Sequence, residues 1–281
     1  MSTKRTNEPT LRRKGPAVGL AFGMALSFLF CCCRSKETSS PPAAEPSSLP
    51  QINALTEQER AEGWVFLFDG HSFEGWRGIG ISGIPEGHWV IEDGIIKKVP
   101  GGEVPRQADG QPSQGGDLMT VGVYEDFELR FEWKISPGGN SGIKYNVSEE
   151  ISMAVPPKQA AIGFEYQILD DAGHPDADNG PNRTAGALYD LVPPGAKTLK
   201  PMGEFNEARI VFRGSHGEHW LNGAKVLEFD LGTPEMNERL AASKYRDIAD
   251  FDKKRRGHIV LQDHGDAVWF RNIKIRELQH E

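Results

Sequence analysis

Apolar and polar residues alternate with a period of two along much of this chain, which is the pattern of half-buried β-strands. In FELRFEWKI (127–135) every second residue is apolar and the residues between them are charged. SGIKYNV (141–147) continues the pattern and places Val147 on the predicted inner face. Trp133 and Trp220 occupy apolar positions in such runs, and we expect both in the core.

Turn residues separate the apolar runs at short intervals. Asp-Gly at 93–94 and Asn-Gly at 222–223 each stand between two such runs, and both dipeptides predict hairpins. Short helices are predicted only at 55–63, which has a capping-box pattern, and at 234–245. Strands and helices do not alternate regularly. The pattern therefore predicts an all-β fold, a jelly-roll sandwich of two antiparallel sheets.

The first 33 residues have a different composition. Basic residues precede an apolar run at 17–30, and the three cysteines of the chain follow at 31–33, which is typical of an export signal. A bilayer span needs about 20 apolar residues, and this run is shorter. Cys32 suits lipid attachment best, with Cys33 as the alternative, and a plain secretion signal is the other interpretation. We expect an exported lipoprotein that contacts the membrane only through its lipid and faces the periplasm or cell surface.

Residues 34–50 are rich in Ser, Pro, Ala and Glu and predict a flexible tether. The folded domain is then 51–281, without a cysteine for a disulfide or a thiol nucleophile. Loss of residues 1–33 removes five basic residues and one acid, which takes the formal net charge from −8 to −12. An acidic domain of this kind argues against nucleic acid as a partner.

Six motifs in order carry a family resemblance: GNSGIKYNV, GFEYQILDDAGHPD, GALYDLVPP, PMGEFNEARIVFRG, HWLNGAKVLEFD and GHIVLQDHGDAVWFRNIKI. With them the sequence resembles the 3-keto-disaccharide hydrolase domain family over about 63–278. The resemblance implies a concanavalin A-like jelly-roll catalytic domain without an organic cofactor. It also implies an oxidised substrate, a 3-keto oligosaccharide or glucoside, whose glycosidic bond is opened.

A ketone at C3 acidifies the hydrogen on C2 and lies β to the leaving group on C1. A base at C2 can therefore expel the aglycone, and water then adds at C1 to complete net hydrolysis. This route needs a general base, stabilisation of the enolate oxygen and a proton donor at the leaving oxygen.

The strand and loop in GFEYQILDDAGHPD offer the first candidates. Glu165 and Gln167 share one face of a strand, with Glu165 as general base or metal ligand and Gln167 as a partner of sugar hydroxyls. His174 is suited to proton transfer, and Asp171 to orienting it or to binding substrate. Asp170 is the candidate ligand of a divalent metal ion. Turn formation would equally explain the Asp and Gly residues of this loop.

A second polar cluster, formed by Gln262, Asp263 and His264, also follows a strand. Two such clusters can meet in a folded sandwich, where they would supply a metal site or divide the acid and base roles. We assign His264 to proton transfer and Gln262 and Asp263 to substrate binding.

Cations and small polar groups complete the predicted site. Lys144 and Arg130 are expected on one face of adjacent strands, with Lys144 stabilising the enolate and Arg130 binding substrate. Asn140 and Ser141 would bond sugar hydroxyls, and Tyr189 would stack on a sugar ring.

Two other functions fit the same predicted fold. A lectin-like module would bind carbohydrate without a base beside a proton shuttle. An ordinary glycosidase would need two carboxylates about 5–10 Å apart. The sequence offers Glu165 and, as a partner on a neighbouring strand, only Glu132.

Overall fold

The computed structural model describes residues 52–101, 115–156 and 159–279. The predicted signal peptide, the tether and the lipidation candidates Cys32 and Cys33 lie outside the described residues and stay predictions. In the part of the chain that is described, no helix is long and apolar enough to cross a membrane.

Thirteen strands form the framework of the described residues. They are β1 (Val65–Phe66), β2 (Trp76–Gly78), β3 (Trp89–Glu92), β4 (Ile95–Lys98), β5 (Leu118–Thr120), β6 (Phe127–Ile135), β7 (Asn140–Val147), β8 (Phe164–Leu169), β9 (Asn206–Arg213), β10 (His216–Leu221), β11 (Ala224–Asp230), β12 (His258–Leu261) and β13 (Val268–Glu277). Three α-helices, α1 (Glu57–Ala61), α2 (Glu149–Ala154) and α3 (Pro234–Ala242), and two 3₁₀ helices, Pro175–Asn179 and Pro181–Arg183, lie between them.

These strands form two antiparallel sheets. The larger sheet has the order β11-β10-β9-β6-β13-β4-β3, and β1 also pairs with β13. The smaller sheet has the order β2-β5-β12-β7-β8. The predicted all-β jelly-roll sandwich of two antiparallel sheets is confirmed.

The core lies between the two sheets, because every second side chain of their strands points inward. Leu129, Phe131 and Trp133 of β6 face Ile143 and Tyr145 of β7 in a single buried cluster. We call the opposite side of the smaller sheet, turned away from this cluster, its outer face.

The turn and capping residues act as predicted. The two dipeptides form the β3–β4 and β10–β11 hairpins, where Asn222 has a φ of 49° and Gly223 a φ of 84°. Thr56 and Glu59 form both bonds of the capping box on α1. Helix α2 was not predicted, since it has only six residues, and its N-terminus is capped by Ser148.

Two predicted core positions are wrong. Trp220 lies partly exposed on the outside of the larger sheet, 3.9 Å from the guanidinium carbon of Arg209, because its neighbour His219 takes the inward position. Val147 packs on the outer face of the smaller sheet instead of the core. The Val147 side chain points outward because Asn146 has a positive φ of 53°, which interrupts the alternation of β7.

Candidate active site on the smaller sheet

The outer face of the smaller sheet carries a row of residues that lie opposite one another on its five strands. The row consists of Arg77, Met119, Val260, Lys144 and Glu165. Lys144 and Glu165 end the row, and their side chains are almost fully buried, at 4% and 2% exposure. Segments outside the sheet therefore cover this end of the row.

The Glu165 carboxylate is only partly satisfied by the protein. Its Oε2 atom is buried and has no hydrogen-bond partner. The nearest cation, the ammonium of Lys144, lies 4.0 Å from Oε2 and donates instead to the carbonyl oxygen of Ala161 at 3.1 Å. A buried acceptor without a partner costs about 1–3 kcal/mol. This arrangement is therefore typical of a site that a ligand completes.

The surroundings of Glu165 make it a stronger base than an exposed carboxylate. Burial raises the pKa of Glu165 above its ordinary value of 4.5, and the negative charges of Asp117 and Asp176 add to the shift. Lys144 and Lys244 oppose it. Desolvation is the largest of these effects, so the net direction is upward.

Gly142 of β7 makes room for the Glu165 side chain. A Cβ atom on Gly142 would lie 2.6 Å from Oε1 of Glu165, so the carboxylate occupies the space above this glycine. Gln167 is fully buried beside Gly142 on β8, and Gln262, whose backbone N–H donates to the Gly142 carbonyl, has a buried Oε1 without a hydrogen-bond partner. Glu165 and Gln262 therefore each offer an unpaired acceptor, and hydroxyl groups are the donors that they would take.

The loop after β8 folds back over the Glu165 end of the row. The backbone N–H of Tyr189 donates to the carbonyl of Glu165 at 3.0 Å. The Tyr189 hydroxyl donates to Asp176 at 2.8 Å and accepts from Arg183 at 3.0 Å. Arg183 also pairs with Asp190 at 2.8 Å, which ties the loop into one network.

Lys244, which follows α3, brings a further cation to this network. Its backbone N–H donates to Asp190 at 2.7 Å, and its ammonium lies 4.3 Å from the centroid of the Tyr189 ring. The residue as a whole is exposed, but its ammonium lies among rings and charges. That desolvation lowers the pKa of Lys244, while the charge of Glu165 opposes the shift.

Comparison with known proteins places the chain in a family. Residues 63–276 match the model of the 3-keto-alpha-glucoside-1,2-lyase-like domain. The chain belongs to this family. It is 38% identical over 257 residues to a 3-keto-disaccharide hydrolase of Bacteroides thetaiotaomicron, which covers 81% of this chain and 83% of the relative.

Two solved structures from Parabacteroides distasonis are similar to this chain, and both are described as candidate glycosyl hydrolases. One is 32% identical, with a TM-score of 0.69 over 82% of this chain and 100% of its own. A second is 29% identical, with a TM-score of 0.57 over 76% of this chain and 99% of its own.

In this family member the two predicted histidines meet. The rings of His174 and His264 lie with their centroids 6.0 Å apart, and ligand atoms of both and of Asp266 lie within 4.8 Å of one another. Nδ1 of His174 accepts the backbone N–H of Asp176 at 3.0 Å. In the neutral imidazole the hydrogen is then on Nε2. The three residues form one of two groups among the described residues that could hold a divalent cation; the other is His216, Glu218 and Glu228.

The acids predicted around these histidines are engaged by the protein. Asp170 accepts the backbone N–H groups of Gly138 at 2.7 Å and Ala172 at 3.2 Å, so it ties the turn, and it is not in the group of possible metal ligands. Asp171 accepts from the backbone of Ala185 and pairs with Lys197, both at 2.7 Å.

Asp263 is enclosed more completely. Its side chain is not exposed, Nδ1 of His88 lies 2.5 Å from one oxygen, and the ammonium of Lys98 lies 3.3 Å from the other. Its backbone N–H donates to Asp117 at 2.8 Å. These contacts join the β3–β4 hairpin to the end of β12. Asp263 therefore has a structural role, and its predicted role in substrate binding stays a prediction.

The small polar residues at the start of β7 are also satisfied internally. Ser141 is fully buried and donates to the carbonyl of Gln262 at 2.9 Å. Asn140 accepts from Gln167 at 3.4 Å. Their substrate contacts stay predictions, whereas the structure shows Ser141 bonded to the backbone of Gln262 and Asn140 to the side-chain amide of Gln167.

Two sequence predictions of position are wrong. Arg130 and Glu132 belong to β6 in the larger sheet, so neither shares a face with Lys144 on β7. Arg130 pairs with Glu128 at 2.8 Å, and Glu132 pairs with Arg271 at 2.7 Å. The two strands are consecutive along the chain, but the connection between them crosses from one sheet to the other.

Three further residues near the site had no signal in the sequence. Asp117 is a fully buried carboxylate at the end of a polar loop, and it accepts the backbone N–H of Ala161 at 2.9 Å. His88 and Lys244 come from a turn and from the end of a helix. Only tertiary packing brings these ordinary loop positions to the sheet. Tyr189, predicted to stack on sugar, has Lys244 and Arg183 over its ring.

Proposed function

We propose that this protein cleaves the glycosidic bond of 3-keto-glucosides or 3-keto-disaccharides by elimination followed by hydration. The observation that carries the proposal is Glu165, a buried carboxylate with a raised pKa and an unpaired oxygen beside Lys144. Membership of the 3-keto-alpha-glucoside-1,2-lyase-like family and similarity to a named 3-keto-disaccharide hydrolase support it.

In the elimination, the Glu165 carboxylate takes the C2 proton, and the electrons of that C–H bond form the enolate of the C3 ketone. The Lys144 ammonium lies next to Glu165 and stabilises the negative oxygen of the enolate. The enolate then re-forms the ketone as the C1–O bond breaks. The leaving oxygen departs with the bonding electrons and accepts a proton.

Hydration reverses these proton movements. Water adds through oxygen at C1 of the unsaturated sugar, and Glu165 returns its proton to C2. The imidazoles of His174 and His264 lie together beyond the strand ends, where the proposed cation would be held. Gln167 and Gln262 would bind ring hydroxyls.

A divalent cation at His174, His264 and Asp266 is a further part of the proposal. Two imidazoles and one carboxylate suit Zn²⁺ and similar ions. At Nδ1 of His174, an ion would replace the hydrogen bond from Asp176. A Lewis acid near the ketone would make the C2 hydrogen more acidic.

The deciding experiment offers the purified protein a 3-keto-glucoside and its unoxidised parent, each with and without a chelator. We expect cleavage of the oxidised sugar alone. Glu165→Gln should lower kcat/KM at least about 10²-fold, since general-base catalysis contributes that much or more. Glu150→Gln, on the exposed surface of α2, is the matched control and should keep full activity.

Each other outcome has a definite meaning. Cleavage of the parent sugar would indicate an ordinary glycosidase, and binding without cleavage of either sugar would indicate a lectin-like module. Full activity of a folded Glu165→Gln variant would refute the assigned base. Loss of activity with the chelator, restored by Zn²⁺ or Mn²⁺, would support the proposed cation.

A further inference from the structure

We propose that Lys244 is the proton donor to the leaving oxygen, a catalytic role that rests on the proposed function. The elimination breaks bonds at two adjacent carbons, C2 and C1. A group that serves the oxygen on C1 must therefore act close to the group that serves the hydrogen on C2. The donor is expected beside Glu165.

Lys244 meets this condition from the loop side of the site. Its ammonium lies 4.3 Å from the ring centroid of Tyr189, the residue whose backbone N–H is bonded to the Glu165 carbonyl. It also interacts electrostatically with Glu165. His174, by contrast, lies beyond the end of β8, beside His264 and Asp266, where the proposed cation would be held.

The two lysines near Glu165 differ in how they are held. The Lys144 ammonium is buried and bonded to the Ala161 carbonyl, which suits a fixed charge facing an enolate. The Lys244 ammonium lies 4.3 and 5.1 Å from the ring centroids of Tyr189 and Tyr245, and it makes no hydrogen bond or ion pair with the side chain of any described residue. Its protons are therefore available to a leaving oxygen.

The proton balance closes on these groups. In the elimination Glu165 gains the C2 proton, and the Lys244 ammonium gives one proton to the leaving oxygen and becomes a neutral amine. In the hydration the amine recovers a proton from the water that adds at C1, and Glu165 returns its proton to C2. Burial raises the pKa of Glu165 and lowers that of Lys244, so the two pKa values approach each other and both transfers become easier near neutral pH.

A series of leaving groups tests the assignment. A p-nitrophenolate leaves without a proton, whereas a methoxide or a sugar alkoxide needs one. With methyl and p-nitrophenyl 3-keto-glucosides, Lys244→Met should lower kcat/KM about 10²–10³-fold on the methyl substrate and less than about tenfold on the p-nitrophenyl substrate. Lys253→Met, at an exposed position paired with Asp252, should match the wild type on both.

Lys244→Arg separates proton donation from charge. Arginine keeps the positive charge but does not release a proton near neutral pH. It should therefore show the same dependence on the leaving group as Lys244→Met, even if the methionine variant is poorly folded. His174→Asn should instead lose activity by a similar factor on both substrates.

Two results would overturn the assignment. One is an equal loss on both substrates in the lysine variants, and the other is wild-type kinetics in Lys244→Arg. In either case a wild type that cleaves 3-keto-glucosides and an inactive Glu165→Gln variant would leave the proposed function standing. A wild type that cleaves no 3-keto-glucoside would remove both proposals together.

Discussion

Glu165 shows how far single residues could be assigned from sequence. The alternation of its strand correctly put Glu165 and Gln167 on one side, away from Phe164, Tyr166 and Ile168 in the core. Its depth could not be predicted, because the covering groups, Tyr189 and Lys244, come from distant segments. Glu165 therefore resembles a solvated surface acid in the sequence, whereas in the structure it is only 2% exposed.

The burial of Glu165 lowers the stability of the folded protein when its carboxylate is ionised. Because the folded-state pKa of Glu165 is raised above 4.5, the folded protein holds this proton more tightly than the unfolded chain does. The stability associated with the protonated group is present below pH 4.5 and is lost as pH rises through the folded-state pKa. Glu165→Gln, which is neutral at every pH, should therefore gain melting temperature relative to the wild type between pH 5 and pH 8.

Thermal unfolding of both proteins at pH 5 and pH 8 measures this difference. A wild type that melts at a higher temperature than the variant at pH 8 would contradict the prediction.

The protonation of Glu165 should also set the acid limb of the pH–rate profile. We expect kcat/KM of the wild type to fall as pH falls, with an inflection above the ordinary carboxylate value of 4.5.

At the scale of elements, strand β7 departs from simple alternation in two useful ways. Gly142 makes room for the Glu165 side chain, and Asn146 turns the end of the strand so that Val147 packs on the outer face. The seven-residue pattern SGIKYNV (141–147) predicted the strand but not the turn, because one residue with positive φ shifts the side of everything after it. Helix α2 was missed because six residues carry too little periodicity.

Gly142→Ala tests whether the position of the Glu165 carboxylate matters for the reaction. The new Cβ would lie 2.6 Å from Oε1 of Glu165, so the carboxylate must move. A displacement of about 1 Å costs up to roughly 10²-fold in rate. We expect kcat/KM to fall by about that factor with far-UV circular dichroism unchanged. Gly83→Ala, where nothing lies within 4 Å of the added Cβ, is the matched control. Equal activity of both variants would show that Glu165 tolerates the shift.

For the molecule as a whole, His219 connects the two sheets. It lies on β10 of the larger sheet, is fully buried, and stands 3.0 Å from the hydroxyl of Tyr145 on β7. Its Nδ1 lies 3.0 Å from the carbonyl of Gly186 and must donate to it, so Nε2 accepts from Tyr145. Sequence patterning predicted the sandwich and its core strands. It could not predict this contact, which joins residues 74 positions apart.

The His219 contact should make folding sensitive to mild acid. Burial lowers its pKa from 6.5 to about 4, so the unfolded chain binds this proton below pH 6.5 while the folded protein does not until about pH 4. Stability should fall by up to about 3 kcal/mol across that window. Urea unfolding at pH 7 and pH 4 measures the loss, which His219→Gln should reduce because glutamine can donate and accept without a charge. An identical loss in both proteins would contradict the assignment.

Strand β13 occupies the middle of the larger sheet, between β6 and β4, and also pairs with β1 near the start of the domain. A domain that is still being synthesised lacks this strand until every other described strand has been made. Until then β6 and β4 have no shared neighbour, and their apolar faces remain open to association with other chains. Closure of the larger sheet therefore comes after synthesis of all its other strands.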